Sequence, residues 1–207
     1  FTIGITDLVV KAIALKPGLA PSNVVESSAF TVKASAPKLD PADGVFTAEA
    51  QIAVTSATPG AEMRCTLDGT EPTADTPVVS SPVSVTETGS IVRCVATKAG
   101  LTVSDVTSMA SPLEIKATAP VMTPDGGDFT NEASIVMSCE TTGCTIRYTT
   151  DGSEASPDST LYTEPIVVTT SGTVVRAVAV AEGKSTSYET ASKPYSIYAA
   201  APTFSAN

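Results

Sequence analysis

From about residue 50 onward the chain is written in short β-prone runs, Gln51–Thr55, Glu62–Thr66, Val83–Val85, Ile91–Ala96 and Leu113–Lys116, in which apolar positions mix with Ser, Thr and charged residues. Gly, Pro, Asp and Thr separate them, and this punctuation predicts strands joined by turns. The same runs return at Ser134–Ser138, Thr145–Thr149, Ile166–Val168 and Val174–Val180. Asp68-Gly69 and Asp151-Gly152 predict tight turns, because Asp and Gly tolerate the positive φ that such turns require.

The recurrence is a true repeat. A shift of 83 residues aligns Phe46–Ser104 with Phe129–Ser187 without a gap, and roughly two-fifths of the aligned positions are identical. The invariant pairs are mostly turn residues or strand flanks: Gly60 with Gly143, Arg64 with Arg147, Pro82 with Pro165, Gly89 with Gly172, Arg93 with Arg176 and Gly100 with Gly183. The N-terminal stretch fits the same ruler, Val9-Val10-Lys11-Ala12 falling on Ile91-Val92-Arg93-Cys94, so it reads as the later half of a repeat. Small-residue segments closed by proline, Ala34–Pro37, Ala117–Pro120 and Ala199–Pro202, mark the junctions as short, stiff linkers. The expected organisation is a half-repeat at 1–34, whole repeats at 35–117 and 118–199, and the first strand of another at 200–207. About seven short strands in each 83 residues predict an all-β chain of tandem immunoglobulin-like β-sandwich domains, with a closed barrel as the alternative.

The segment from Ala119 to Ile197 carries a resemblance. Thr145-Ile146-Arg147-Tyr148-Thr149-Thr150-Asp151-Gly152-Ser153, then Ser159–Thr163, then Val174–Ala179 resemble the immunoglobulin-like domain named for the C-terminus of chitobiase and β-hexosaminidase. Repeat 2 departs from that pattern, with Cys65 in place of Tyr148 and Val79 in place of Tyr162. The resemblance implies a sandwich accessory unit, often in tandem on secreted or surface proteins, whose catalytic residues belong to another domain.

Composition narrows the chemistry. The 207 residues carry a net charge of −10 and a pI near 4.4, the wrong sign for a phosphate backbone, so no nucleic acid partner is expected. The chain has no His and no Trp, which removes the usual neutral-pH base, the commonest transition-metal ligand and the best flat platform for a sugar. No run of about 18 apolar residues suggests membrane insertion within this segment, and the N-terminal residues lack a signal-peptide plan. A P-loop, a dinucleotide fingerprint and a Gly-x-Ser-x-Gly elbow are missing as well, so no cofactor and no enzyme activity are expected. There is no complete Asn-x-Ser/Thr sequon; glycosylation of this Ser/Thr-rich chain would be O-linked.

Four cysteines form two candidate disulfides. Cys139 and Cys144 bracket a four-residue turn, and Cys65 with Cys94 align with Tyr148 and Ala177, a large and a small residue suited to facing positions on neighbouring strands. Reduced, buried thiols are the alternative; a zinc site fits poorly because the pairs fall in different repeats. Oxidised pairs point to an extracellular or cell-surface location.

Three groups of residues invite a functional reading. Glu71 recurs as Glu154 and Asp75 as Asp158 beside the Asp-Gly turn, as a calcium rim or acid-base pair on one reading and as solvated charges on the other. Tyr148 and Tyr162 are the candidate sugar-binding rings, although all five tyrosines lie in or just beyond repeat 3, and packing with the hydroxyl at the surface is the competing role. Arg64, Arg93, Arg147 and Arg176 flank the facing pair and so project from the opposite sheet face, where they need an acidic partner from a loop or from an adjacent molecule.

The sequence therefore predicts a non-catalytic extracellular structural protein, part of a tandem array acting as spacer, adhesive stalk or filament subunit. Its expected partners are neighbouring copies of itself or other extracellular structural proteins. The alternative is a carbohydrate-binding or spacer accessory region of a secreted polysaccharide-degrading enzyme. The half-repeat lacks its early strands, so its apolar faces and sheet edges require completion by upstream residues or by strands from a neighbour.

Overall fold

The structure is a computed structural model that describes residues 4–204. Every regular element among the described residues is a strand, as the β-branched composition predicts. The strands gather into two compact units whose limits do not coincide with the sequence repeats.

The first unit takes the residues up to Asp43, then Gln51–Val85 and Ser90–Pro112. It contains the hairpin β1 (Lys11–Ala12) and β2 (Val25–Glu26), a sheet of β3 (Lys38–Asp40), β5 (Ala50–Thr55) and β7 (Val83–Val85), and a sheet of β6 (Glu62–Thr66), β8 (Arg93–Thr97) and β9 (Thr107–Ser108). Strand β5 buries Ile52 and Val54 and exposes Gln51 and Thr55, the alternation of a one-sided sheet. Burying each such side chain contributes roughly 1.5–3 kcal/mol.

The second unit takes Gly44–Ala50, Thr86–Gly89 and the chain from Leu113 onward. Strands β4 (Val45–Thr47) and β10 (Glu114–Lys116) pair in parallel there, as do β12 (Gly127–Thr130) and β19 (Tyr195–Tyr198). One sheet has the order β11 (Val121–Thr123), β13 (Ala133–Ser138), β16 (Ile166–Val168). The other runs β15 (Thr160–Leu161), β14 (Thr145–Thr149), β17 (Arg176–Val180), β18 (Thr190–Ala191). Met122, Ile135, Met137, Ile146, Val175, Ala177 and Tyr195 form its core, with Phe129, Tyr148 and Tyr162 packed against them.

These elements correct the predicted ones in two ways. The strands β3, β4, β11 and β12 precede the first predicted run of each repeat, in stretches where Pro37, Pro41 and Gly44, and likewise Pro120, Pro124 and Gly126, read as turns and linker. Repeat 2 holds eight strands and repeat 3 nine, rather than about seven. Residues 200–204 carry no strand, and the remainder of the predicted 200–207 strand lies outside the described residues, as do the first three residues of the half-repeat.

Glycine is required where β11 turns toward β12. Gly126 has φ +76°, and a Cβ there would lie 2.6 Å from Lys193 Cβ and 2.7 Å from the Lys193 carbonyl oxygen. No side chain fits.

Candidate functional site

Cys65 and Cys94 stand opposite each other in the β6/β8 register and are disulfide-bonded, with Cα atoms 4.2 Å apart. Tyr148 opposes Ala177 at the matching place between β14 and β17. Cys139 and Cys144 are also bonded, Cα atoms 6.6 Å apart, and no free cysteine is left.

The four arginines lie on the sheet face away from these pairs, held by their own chain. Arg64 opposes Val95, which is only 1% exposed, and Arg147 opposes Val178 at 3%. Arg64 donates from Nε to Thr97 Oγ1 (3.0 Å), from Nη1 to the Thr76 carbonyl (2.6 Å) and from Nη2 to Glu62 (2.9 Å). Arg147 Nη1 makes the equivalent bond to the Ser159 carbonyl at 3.2 Å. Arg93 pairs with Glu71 and donates to the Gly69 carbonyl, whereas Arg176 pairs with Glu189 at 2.8 Å. The acidic partners of Arg64, Arg93 and Arg176 thus come from strand and loop residues of the same chain, and Arg147 is held by a backbone carbonyl.

The acidic residues beside the Asp-Gly turns are not assembled as a site. Glu71 is engaged by Arg93, while Glu154 and Asp158 are exposed. Among the described residues no group of three His, Cys, Asp or Glu side chains is placed to hold a metal ion. The turn aspartates themselves are structural: Asp68 Oδ1 accepts from the Thr70 N–H and hydroxyl, and Asp151 Oδ1 from those of Ser153. These bonds, the hydroxyl first, hold both carboxyls below the usual aspartate range.

The tyrosines pack. Tyr148 and Tyr162 meet edge to face, ring centroids 6.5 Å apart, against the core. The Tyr162 hydroxyl accepts the Met137 N–H at 3.1 Å; in repeat 2 that place holds Val79, and Ser81 Oγ accepts the Val54 N–H instead. Tyr195 departs from the expected surface hydroxyl: it is fully buried, donates to the Pro124 carbonyl at 2.6 Å, and has its phenol pKa raised by burial.

The arrangement that recurs intact is the junction. In the first unit Ala34 N–H donates to the Thr102 carbonyl and Thr102 N–H to the Val32 carbonyl, both at 2.9 Å, while the Thr6 N–H donates to the Gly100 carbonyl. In the second unit Ala117 donates to Ser185, Ser185 to Ile115 and Thr88 to Gly183. Each residue of the second set stands 82 or 83 places after its counterpart. The hydroxyl pairs match too, Thr6 with Thr102 at 3.3 Å and Thr88 with Ser185 at 3.2 Å. Ser35 N–H donates to Thr58 Oγ1 and Thr118 N–H to Thr141 Oγ1, both at 2.8 Å, which ties each linker to the repeat that follows it.

The second junction adds a lysine. Lys184 Nζ donates to the carbonyls of Ala48 (2.6 Å) and Thr86 (2.7 Å). Nearby, Lys116 bridges to Glu114 at 2.7 Å and lies 5.2 Å from the Tyr188 ring centroid. Hydrogen bonds from Lys116 and then Ser185 lower the Glu114 pKa. Sequence reasoning missed these residues. The recurrence of Lys33 as Lys116 and of Thr102 as Ser185 was a usable signal, but Lys184 aligns with Leu101 and left none.

The chain is similar to several solved structures and to a protein family. The solved structures it resembles include domains 7, 8 and 9 of the S-layer protein SbsC (15% identity, TM-score 0.33, covering 95% of this chain and 72% of that one). They also include the tandem Ig repeats of Dlar (14%, 0.26, covering 83% and 95%) and murine CEACAM1b (12%, 0.26, covering 82% and 99%). No curated protein sequence matches the chain. Residues 41–108 and 124–192, which together make up more than half of the chain, match the family described as chitobiase/beta-hexosaminidase C-terminal domain. By its two repeats the chain belongs to that family of immunoglobulin-like accessory domains.

Proposed function

We propose that this chain is a non-catalytic, extracellular structural segment of a tandem immunoglobulin-like array, serving as a spacer, adhesive stalk or filament subunit. The observation that carries the reading is the junction, in which the same three backbone bonds and the same hydroxyl pair recur. Linkers tied by recurring backbone bonds suit a spacer better than a flexible tether. The two disulfides fit an oxidising compartment. The proposed partners are further copies of the chain or other extracellular structural proteins.

The test is a distance measurement across a junction, with spin labels on exposed positions of repeats 2 and 3. A narrow distribution that broadens in Lys184→Ala supports a positioned spacer. A broad distribution in the unsubstituted chain, or turnover of a substrate by it, overturns the reading.

Membership of a family named for chitobiase and β-hexosaminidase favours a second reading, a carbohydrate-binding or spacer accessory region of a secreted polysaccharide-degrading enzyme. The edge-to-face packing of Tyr148 and Tyr162 against the core weighs against sugar stacking on those rings. Binding to insoluble polysaccharide that is lost in Tyr148→Ala would bring it forward.

A further inference from the structure

The two disulfides stand in different surroundings. Cys65 and Cys94 face each other within paired strands, the first 8% exposed and the second fully buried. Cys139 and Cys144 lie outside the strands, in the connection between β13 and β14, and both are only partly buried. Exchange requires a thiolate to reach a disulfide sulfur, so the loop bond is open to a reductant that the strand pair keeps out.

The loop bond clasps a linker residue. Thr141, inside the loop, is 8% exposed and binds Thr118 in both directions: the Thr118 N–H donates to Thr141 Oγ1 at 2.8 Å, and the Thr141 N–H donates to Thr118 Oγ1 at 2.9 Å. The matching loop of repeat 2 keeps its turn without a crosslink. Ser56 and Ala61 stand there in place of Cys139 and Cys144. The Ala61 N–H donates to the Thr58 carbonyl at 3.2 Å, as the Cys144 N–H does to the Thr141 carbonyl at 3.1 Å. Ser56 Oγ also donates to the Ser35 carbonyl at 2.9 Å, and Cys139 Sγ lies 3.7 Å from the equivalent Thr118 carbonyl. A disulfide sulfur carries no hydrogen to give that carbonyl, whereas a reduced thiol does. The loop thus has two defined states, one crosslinked and one open with Cys139 in the position of the Ser56 donor.

We propose that Cys139–Cys144 is a thiol-exchange site through which a small dithiol sets how tightly Thr118 is held, while Cys65–Cys94 is a fixed structural bond. One thiolate of the dithiol attacks a loop sulfur, the S–S bond breaks, and its electron pair leaves on the other cysteine, which takes a proton from water. The second thiolate then attacks the mixed disulfide, the remaining cysteine leaves as a thiolate and is protonated, and the dithiol departs as a cyclic disulfide. Two electrons have passed to the protein. A sequence separation of 5 keeps the two thiols close, so an oxidised dithiol reverses the reaction.

This inference goes beyond the spacer reading and does not depend on it, because it concerns bonds between one loop and one linker residue. The test treats the folded chain briefly with dithiothreitol, alkylates it with iodoacetamide and maps the labels by peptide mass spectrometry. Labels on Cys139 and Cys144, with Cys65 and Cys94 unlabelled, are the expected result. Labels on all four together, on the strand pair first, or on none overturn the exchange site. Hydrogen exchange then compares the oxidised chain with the reduced, unalkylated one. The Thr141 and Cys144 amides are expected to exchange more slowly than those of Thr58 and Ala61 while the bond is intact, and to rise to those rates on reduction. Unchanged rates at Thr118, Thr141 and Cys144 overturn the clasp. Cys139→Ser/Cys144→Ala is expected to show the reduced rates and no response to dithiothreitol; a response in that variant overturns the assignment to this bond.

Discussion

The Cys65–Cys94 bond of repeat 2 occupies the place at which Tyr148 opposes Ala177 in repeat 3. The same facing positions are filled by a covalent link in one repeat and by an aromatic ring over a methyl group in the next. A strand pair buried on its inner face accepts either solution, because both fill the space between the sheets. Their energetic consequences differ.

The Cys65–Cys94 link closes a loop with a sequence separation of 29, and the Cys139–Cys144 link one of 5. Chain entropy assigns about 3–4 kcal/mol to the first and roughly 2 kcal/mol to the second. The expected outcome is that Cys65→Ala/Cys94→Ala lowers the denaturation midpoint of repeat 2 well below that of repeat 3. Cys139→Ser/Cys144→Ala, which restores the Ser56 and Ala61 of the other repeat, has the smaller effect. Chemical denaturation of the two variants checks the order.

Tyr162→Phe removes the acceptor of the Met137 N–H and leaves the ring in place. A part-buried donor without a partner costs about 1–3 kcal/mol. Ser81→Ala removes the equivalent acceptor for Val54 and is expected to cost a similar amount in repeat 2. Denaturant midpoints measured for both variants test whether two unlike side chains serve one backbone need.

Lys184→Met keeps the aliphatic stem and removes the ammonium held by the Ala48 and Thr86 carbonyls. Amides of the second junction, Thr88, Ala117 and Ser185, are expected to exchange faster, while those of Ala34 and Thr102 keep the parent rates. Hydrogen exchange at residue resolution decides it. Equal acceleration at both junctions would assign Lys184 a general stabilising role.

Asp68 and Asp151 titrate below their ordinary value of 3.8 because the ionised carboxylates accept from Thr70 and Ser153. A depressed folded pKa contributes stability above the unfolded value, and that contribution is lost as pH falls through the folded one. The amides of Thr70 and Ser153 are therefore expected to lose protection only below about pH 4. Asp68→Asn and Asp151→Asn preserve an acceptor and should remove the pH dependence, which NMR titration of those amides would show.

The sequence by itself determined the fold class, the 83-residue period, the facing of Cys65 and Cys94 and the outward face of the arginines. Each follows from strand alternation and from a repeat that samples the same positions twice. The short strands β3 and β4, the parallel pairing of β4 with β10, and the carbonyls that hold Lys184 were decided only by the tertiary structure. These contacts are made by backbone atoms, which every residue carries alike, so no side-chain pattern records them.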